Sequence, residues 1–340
     1  MAPHGEDETV VLRRPVRPQP QPRRSRLPLL LAGTALLAVV GLTSLMLLRP
    51  GLLPVPGLAP PSAPQVVPRT PSPPGLPSVL PAPAERFALA TEAEILANAA
   101  PELVIRRFAG NPAVLVLDFP TLGEQARMLN RVAALVEKAG LPRDRVLDDA
   151  ALERAVIAGG TTAETFYYGH NYRAADLARF FALADRDGVR LNPDEERLRA
   201  LARELGWLRL DAGGALVSVP HAGAEAWLDA RARAAMLRHE LSHGEFFTNP
   251  AYAAVVWRFW QDLLSEEERA RFRAMLSEAS YDPALEEVMA NEAHAFLFHT
   301  PDERFFNAAA LGFTPERVAA LRAAFVASLP PGWLRDAMAR

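Results

Sequence analysis

Cysteine is absent from this 340-residue chain, and lysine occurs once, as Lys138. The first absence excludes disulfides, thiolate metal sites, a cysteine nucleophile and lipid attachment at a thiol, so any metal must be held by histidine and carboxylates. Histidine is scarce too, with seven in the chain, which keeps the candidate ligands few. Basic charge is almost all arginine, and its balance with acids shifts along the chain. Residues 1–84 carry eight arginines and three acids, net +5, leaving −8 for the rest of a chain that totals −3. An acidic main body without a basic face argues against nucleic acid or anionic lipid as its substrate.

Charge of either sign is missing from Leu27 to Leu48, 22 residues that suffice to cross a hydrocarbon core of about 30 Å as one transmembrane helix. A cleaved secretory signal is the rival, but its apolar region usually runs about 7–15 residues, and this one is longer. Residues 1–26 are polar and proline-rich, with Arg13, Arg14, Arg17, Arg23, Arg24 and Arg26. They read as a disordered cytoplasmic tail, which places the chain beyond Leu48 in the periplasm or outside the cell. Of the 35 residues from Pro50 to Ala84, 13 are proline. Residues 49–84 are therefore expected to be a Pro-rich spacer reaching up to roughly 100 Å. A globular domain is assigned to residues 85–340.

Periodicity predicts a helix from Phe87 to Asn98, strands from Leu103 to Phe108 and Val114 to Phe119, and a long helix from Thr121 to Ala139. This makes residues 85–205 a mixed α/β part. The run Glu164–Arg173 gathers Tyr167, Tyr168, His170, Asn171 and Tyr172 beside Gly169, either as packed tyrosines or as the lining of a cleft. Asp185, Asp187 and Gly188 resemble part of an EF-hand loop, but the register puts Leu183 at its first ligand position and Asp194 at its last, so Ca²⁺ is not expected. A helix ending near Gly188 and another capped by Asn192, with Pro193 and Glu195 in its first turn, account for that run. Trp207–Leu210 and Ala215–Val219 alternate as the strands of a hairpin across Asp211-Ala212-Gly213-Gly214.

Residues 206–340 hold the most informative stretch, RHELSHGEFF from Arg238 to Phe247. On a helix expected over Ala224–Phe247, His239 and His243 lie one turn apart, so both can aim a ring nitrogen at one ion while Glu240 faces a metal-bound water. Neutral imidazoles suit Zn²⁺, and a carboxylate beside the water can take its proton, so the pattern implies metal-assisted hydrolysis. Trp227, Leu237 and Leu241 on one side and Met236 and Phe246 on the other predict burial of both faces. Two histidines leave the centre one protein ligand short. In the run PALEEVMANEAHAFLFH, Glu292 shares a stripe with Leu285, Val288, Met289, Ala295 and Phe296, where an ionised carboxylate costs several kcal/mol unless a cation meets it. His294 competes for the third position, but it sits about 200° round the helix from Glu292, so the two can hardly bind one ion together. Asn291 and His294 are candidates for supporting the ligands or an oxyanion.

His239, Glu240 and His243, followed 49 residues after His243 by Glu292 within Asn291-Glu292-Ala293, resemble the gluzincin group of zinc metallopeptidases over about Ala215–His299. The resemblance implies one Zn²⁺ bound by His239, His243 and Glu292, with Glu240 as general base. It also implies an edge strand ahead of the motif helix, here Leu216–Val219, that pairs with extended substrate. The acid that many gluzincins carry four places beyond the glutamate is Phe296 here. The expected fold is α+β, a mostly helical zincin-like domain with a small β-sheet. The expected activity is hydrolysis of peptide bonds in a peptide or protein, with Tyr281, Tyr172, His170 or His221 supporting the oxyanion. A zinc-binding envelope scaffold, or an amide or ester hydrolase on the same fold, stays open, as does the oligomeric state.

Overall fold

The computed structural model describes residues 87–339. The expected tail, span and spacer (1–26, 27–48 and 49–84) lie outside the described residues. Among the described residues no helix is long and apolar enough to cross a membrane.

One mixed sheet of five strands runs in the order β1 (Leu89–Ala90), β2 (Val104–Phe108), β3 (Asn111–Phe119), β5 (Ala215–Pro220), β4 (His170–Arg173). β3 and β5 are parallel, pairing Val114 with Ala215 through to Phe119 with Pro220, and β4 returns antiparallel along β5. β3 shows why the sheet lies inside the domain. Its Leu115, Leu117 and Phe119 enter one core while Val114 and Val116 enter another, so the two-residue period of a strand feeds apolar side chains to both faces.

Four helices, α2 (Leu122–Val136), α3 (Asp149–Ala158), α4 (Ala174–Asp187) and α5 (Pro193–Glu204), join the core on the first face through Leu129, Val132, Val156, Leu177, Phe180 and Leu198. The second face is covered by α6 (Ala230–Thr248) through Ala232, Met236, Leu237 and Leu241. Beyond α6 lies a helical layer: α7 (Pro250–Arg258), which continues into a π-helical turn, then α8 (Glu266–Glu278), α9 (Glu286–His299) and α10 (Pro315–Ser328). Its core is aromatic, with Tyr252, Phe259, Trp260, Phe272, Phe298 and Phe325. The helix that carries the motif is thus buried on both sides, against the sheet and against α9. It approaches the sheet closely because residue 244 is glycine: a Cβ there would come within 2.8 Å of both Val114 methyls. Buried Arg233 fixes the register of α6 on β3, with Nη2 donating to both Asp118 oxygens at 2.9 Å and to the Ile95 carbonyl at 2.8 Å.

Caps legible in the sequence recur in the fold. Gly188, left-handed at φ 64°, ends α4, and Asn192 with Glu195 forms a capping box on α5. Four expectations need correction. The first helix is shorter, α1 (Glu92–Leu96), because Thr91 and Glu94 form a capping box, and the residues before it pair with β2 as β1. The hairpin does not form: residues 207–210 are not a strand, and the Trp207 ring packs over Gly214, where a Cβ would lie 2.5 Å from it. β5 is bonded on both sides, so Leu216–Val219 is interior and the sheet edge beside the motif helix is β4. Finally, α6 starts at Ala230 with Asp229 capping the Ala232 amide, and α9 starts at Glu286, after a turn at Asp282–Leu285.

Alanine is the better helix former by about 1 kcal/mol, yet overpacking a tight contact costs about 1–3 kcal/mol. Gly244→Ala is expected to lower stability in urea unfolding. A rise would show that α6 and β3 have room to separate.

Candidate metal centre

α6 and α9 pack against each other and bring His239, His243 and Glu292 together. The two Nε2 atoms are 3.0 Å apart, and Glu292 places Oε2 3.5 Å from Nε2 of His239 and Oε1 3.5 Å from Nε2 of His243. Tetrahedral bonds of about 2.0–2.1 Å put neighbouring donor atoms roughly 3.3 Å apart, so these separations are of the size such a site needs. All three residues are buried, and they can hold one metal ion.

Electrostatics favours the same occupant. Burial depresses the imidazole of His239 to about 3 and that of His243 to about 4, the latter despite the opposing pull of Glu292, so both are neutral lone-pair donors at neutral pH. Burial raises the Glu292 carboxyl, against the stabilising influence of His243 and a hydrogen bond from Tyr281. Glu240 is pushed well above the usual carboxylate range by burial and by Glu292, and Glu137 by burial, Glu292 and Glu240. Three buried carboxyls that repel one another, and an Oε2 of Glu292 without a hydrogen-bond partner, fit a divalent cation among them.

Three residues that sequence reasoning did not assign to the site support it. Asn171, on β4, donates through Nδ2 to Oε2 of Glu240 at 3.0 Å. Gly169, just before β4, leaves room for the same carboxylate: a Cβ there would lie 2.1 Å from Oε1. Thr300, the C-cap of α9, sits with Oγ1 2.8 Å from Nδ1 of His239.

The remaining candidates divide. Tyr281 hydrogen-bonds Glu292 and is held in place by an antiparallel bridge to Lys138, with the Ala139 amide on the Ser280 carbonyl at 2.9 Å. Asn291 lies on the same helix as Glu292 and stands beside His243, whose Nδ1 has no hydrogen-bond partner. His294 is fully buried on another side of α9, among the rings of Phe246, Tyr252 and Phe325. His170 is also fully buried, with Nδ1 3.1 Å from Ser218 Oγ and its ring beside buried Tyr172. His221 directly follows β5, with Nε2 3.2 Å from Asp118 on β3. None of His294, His170, Tyr172 and His221 lines the cleft, although the His294 ring centre lies 6.0 Å from that of His243.

That cleft is a cavity of about 510 Å³ reaching His239, Glu240 and Tyr281, walled by Phe166, Tyr167, Tyr168, Trp227, Phe296 and Phe305. The chain's one lysine belongs to the wall, with Lys138 Nζ 4.3 Å from the ring centres of both Phe166 and Tyr167. A smaller cavity of about 310 Å³ reaches Glu292, Asn171, Asn291 and Glu137.

Because the imidazoles stay neutral down to about 3 and 4, acidification from pH 7 to 5 competes for the centre through the Glu292 carboxylate, whose raised affinity for a proton weakens metal binding as pH falls. The logarithm of metal affinity is expected to fall with a slope of about one proton or less over that window. An affinity that does not fall over that window in equilibrium competition would contradict the role given to Glu292. The chain matches no protein-family model, no curated protein and no solved structure, so the centre is read from its own geometry.

Proposed function

We propose that the protein is a zinc-dependent metallopeptidase on a zincin-like domain, anchored through residues 27–48 and acting outside the cytoplasm. The observation that carries this reading is Glu240. It lies between the two histidine ligands on the same helix, faces the same cleft as His239, and is held by a dedicated donor from β4. A purely structural metal site has no need of such a group.

Bound zinc supplies Lewis acidity and makes water a nucleophile near neutral pH. The side chains supply the rest. Asn171 occupies Oε2 of Glu240, leaving Oε1 to accept the proton of the attacking water. Burial raises the proton affinity of that carboxyl, which suits a base that must later return the proton to a leaving amine. Tyr281 lines the cleft beside the ligands and is the hydroxyl assigned to the oxyanion, a role in which its proton turns from Glu292 to the substrate. The substrate is read as an extended peptide. Its backbone can add to the edge of the sheet at β4, and a bulky apolar side chain fits the aromatic wall formed by Tyr168, Trp227, Phe296 and Phe305.

Glu240→Gln should cut peptide hydrolysis by about 10²–10⁴-fold while metal content stays at the wild-type level. A metal-holding scaffold without turnover would keep its cellular phenotype in this variant, and that result would defeat the peptidase reading. Gly169→Ala leaves all three ligands in place but intrudes on Oε1 of Glu240. It should lower kcat strongly with metal still bound, and full activity would show that Glu240 is not confined by the β4 edge.

A further inference from the structure

We propose that Thr300 is the positioning residue of the metal centre, setting the tautomer of His239 from the end of α9, one turn beyond Phe296. The inference rests on His239 being a metal ligand and is independent of whether peptides are cleaved.

The hydrogen bonds permit one assignment. Thr300 Oγ1 lies 2.9 Å from the Ala295 carbonyl and 2.8 Å from Nδ1 of His239. A hydroxyl has a single proton, and a carbonyl can only accept. The proton therefore goes to Ala295, and towards His239 the hydroxyl must accept. Nδ1 carries the imidazole proton, and the lone pair is left on Nε2, the atom that faces His243 and Glu292. Thr300 and His239 are each 8 % exposed and stand together at the wall of the cleft.

The arrangement also couples two ligands. Ala295 lies near the C-terminal end of α9, and Thr300 caps that end. The helix that delivers Glu292 thus orients His239 through its own terminus. Phe296 packs its ring 4.7 Å from that of His239 and has no acceptor to offer. The partner of His239 is accordingly a neutral hydroxyl, and no anion draws on its Nδ1 proton.

The test uses the full chain and zinc alone, with affinity read by competition against a chromophoric chelator and the tautomer by nitrogen chemical shifts of His239. Thr300→Val should weaken zinc binding about 10–100-fold, the range typical for lost outer partners of ligating histidines. Thr300→Ser, which keeps the hydroxyl, should restore affinity to near the wild-type level. In the metal-free wild type the proton should reside on Nδ1. Wild-type affinity in folded Thr300→Val, a serine variant as weak as valine, or a proton on Nε2 would each overturn the inference. The tautomer and the serine variant decide the matter even where valine prevents folding. A wild type that takes up no zinc defeats the metal centre itself, whereas normal uptake by Thr300→Val defeats the role of Thr300 alone.

Discussion

Two neutral imidazoles with their Nε2 atoms 3.0 Å apart, and a carboxylate 3.5 Å from each, are buried between α6 and α9, with His239 reaching the cleft. Such a group is costly to bury unless a cation meets it, because the carboxylate loses its hydration and gains no fixed positive charge in return. The surrounding structure holds it in place. α6 is wedged between sheet and helical layer, with Gly244 against β3 on one side and α9 on the other, so the histidines cannot turn away from Glu292 without opening a core.

The support comes from two stretches far apart in sequence. β4 contributes Asn171, and the residue before it, Gly169, makes space for Glu240. α9 contributes Glu292, Asn291 and the Thr300 cap, and the residue before its entry turn, Tyr281, bonds Glu292. A short backbone bridge between Lys138 and Tyr281 ties the end of α2 to this region, and a buried Arg233–Asp118 pair ties α6 to β3. Each link is worth little alone. Together they hold the donor atoms to the few tenths of an ångström that coordination requires.

His239, Glu240 and His243 were legible because helical spacing alone sets their geometry, and Glu292 because a carboxylate stands out on an apolar stripe. The mixed α+β class was legible from the alternation along β3 and the cap of α5. Asn171 and Gly169 were hidden because β4 has four residues, His170–Arg173, with no apolar alternation; its pairing is decided by β5, far away in sequence. Thr300 was hidden because a threonine after a helix is an ordinary cap, and only the fold reveals which imidazole it meets. The hairpin expectation failed where Trp207, placed in an alternating run, serves as a plug over Gly214 instead of a strand residue. The start of α6 was misplaced because the apolar period runs on through Trp227, although Asp229 was available as a cap.

The most direct test of the account is anomalous diffraction at the zinc edge from crystals of the metal-loaded protein. The account predicts one strong peak within about 2.0–2.2 Å of Nε2 of His239, Nε2 of His243 and a carboxylate oxygen of Glu292, with Glu240 facing but not ligating the ion. No peak between α6 and α9, or an ion bound by His294 with Glu292 left free, would contradict it.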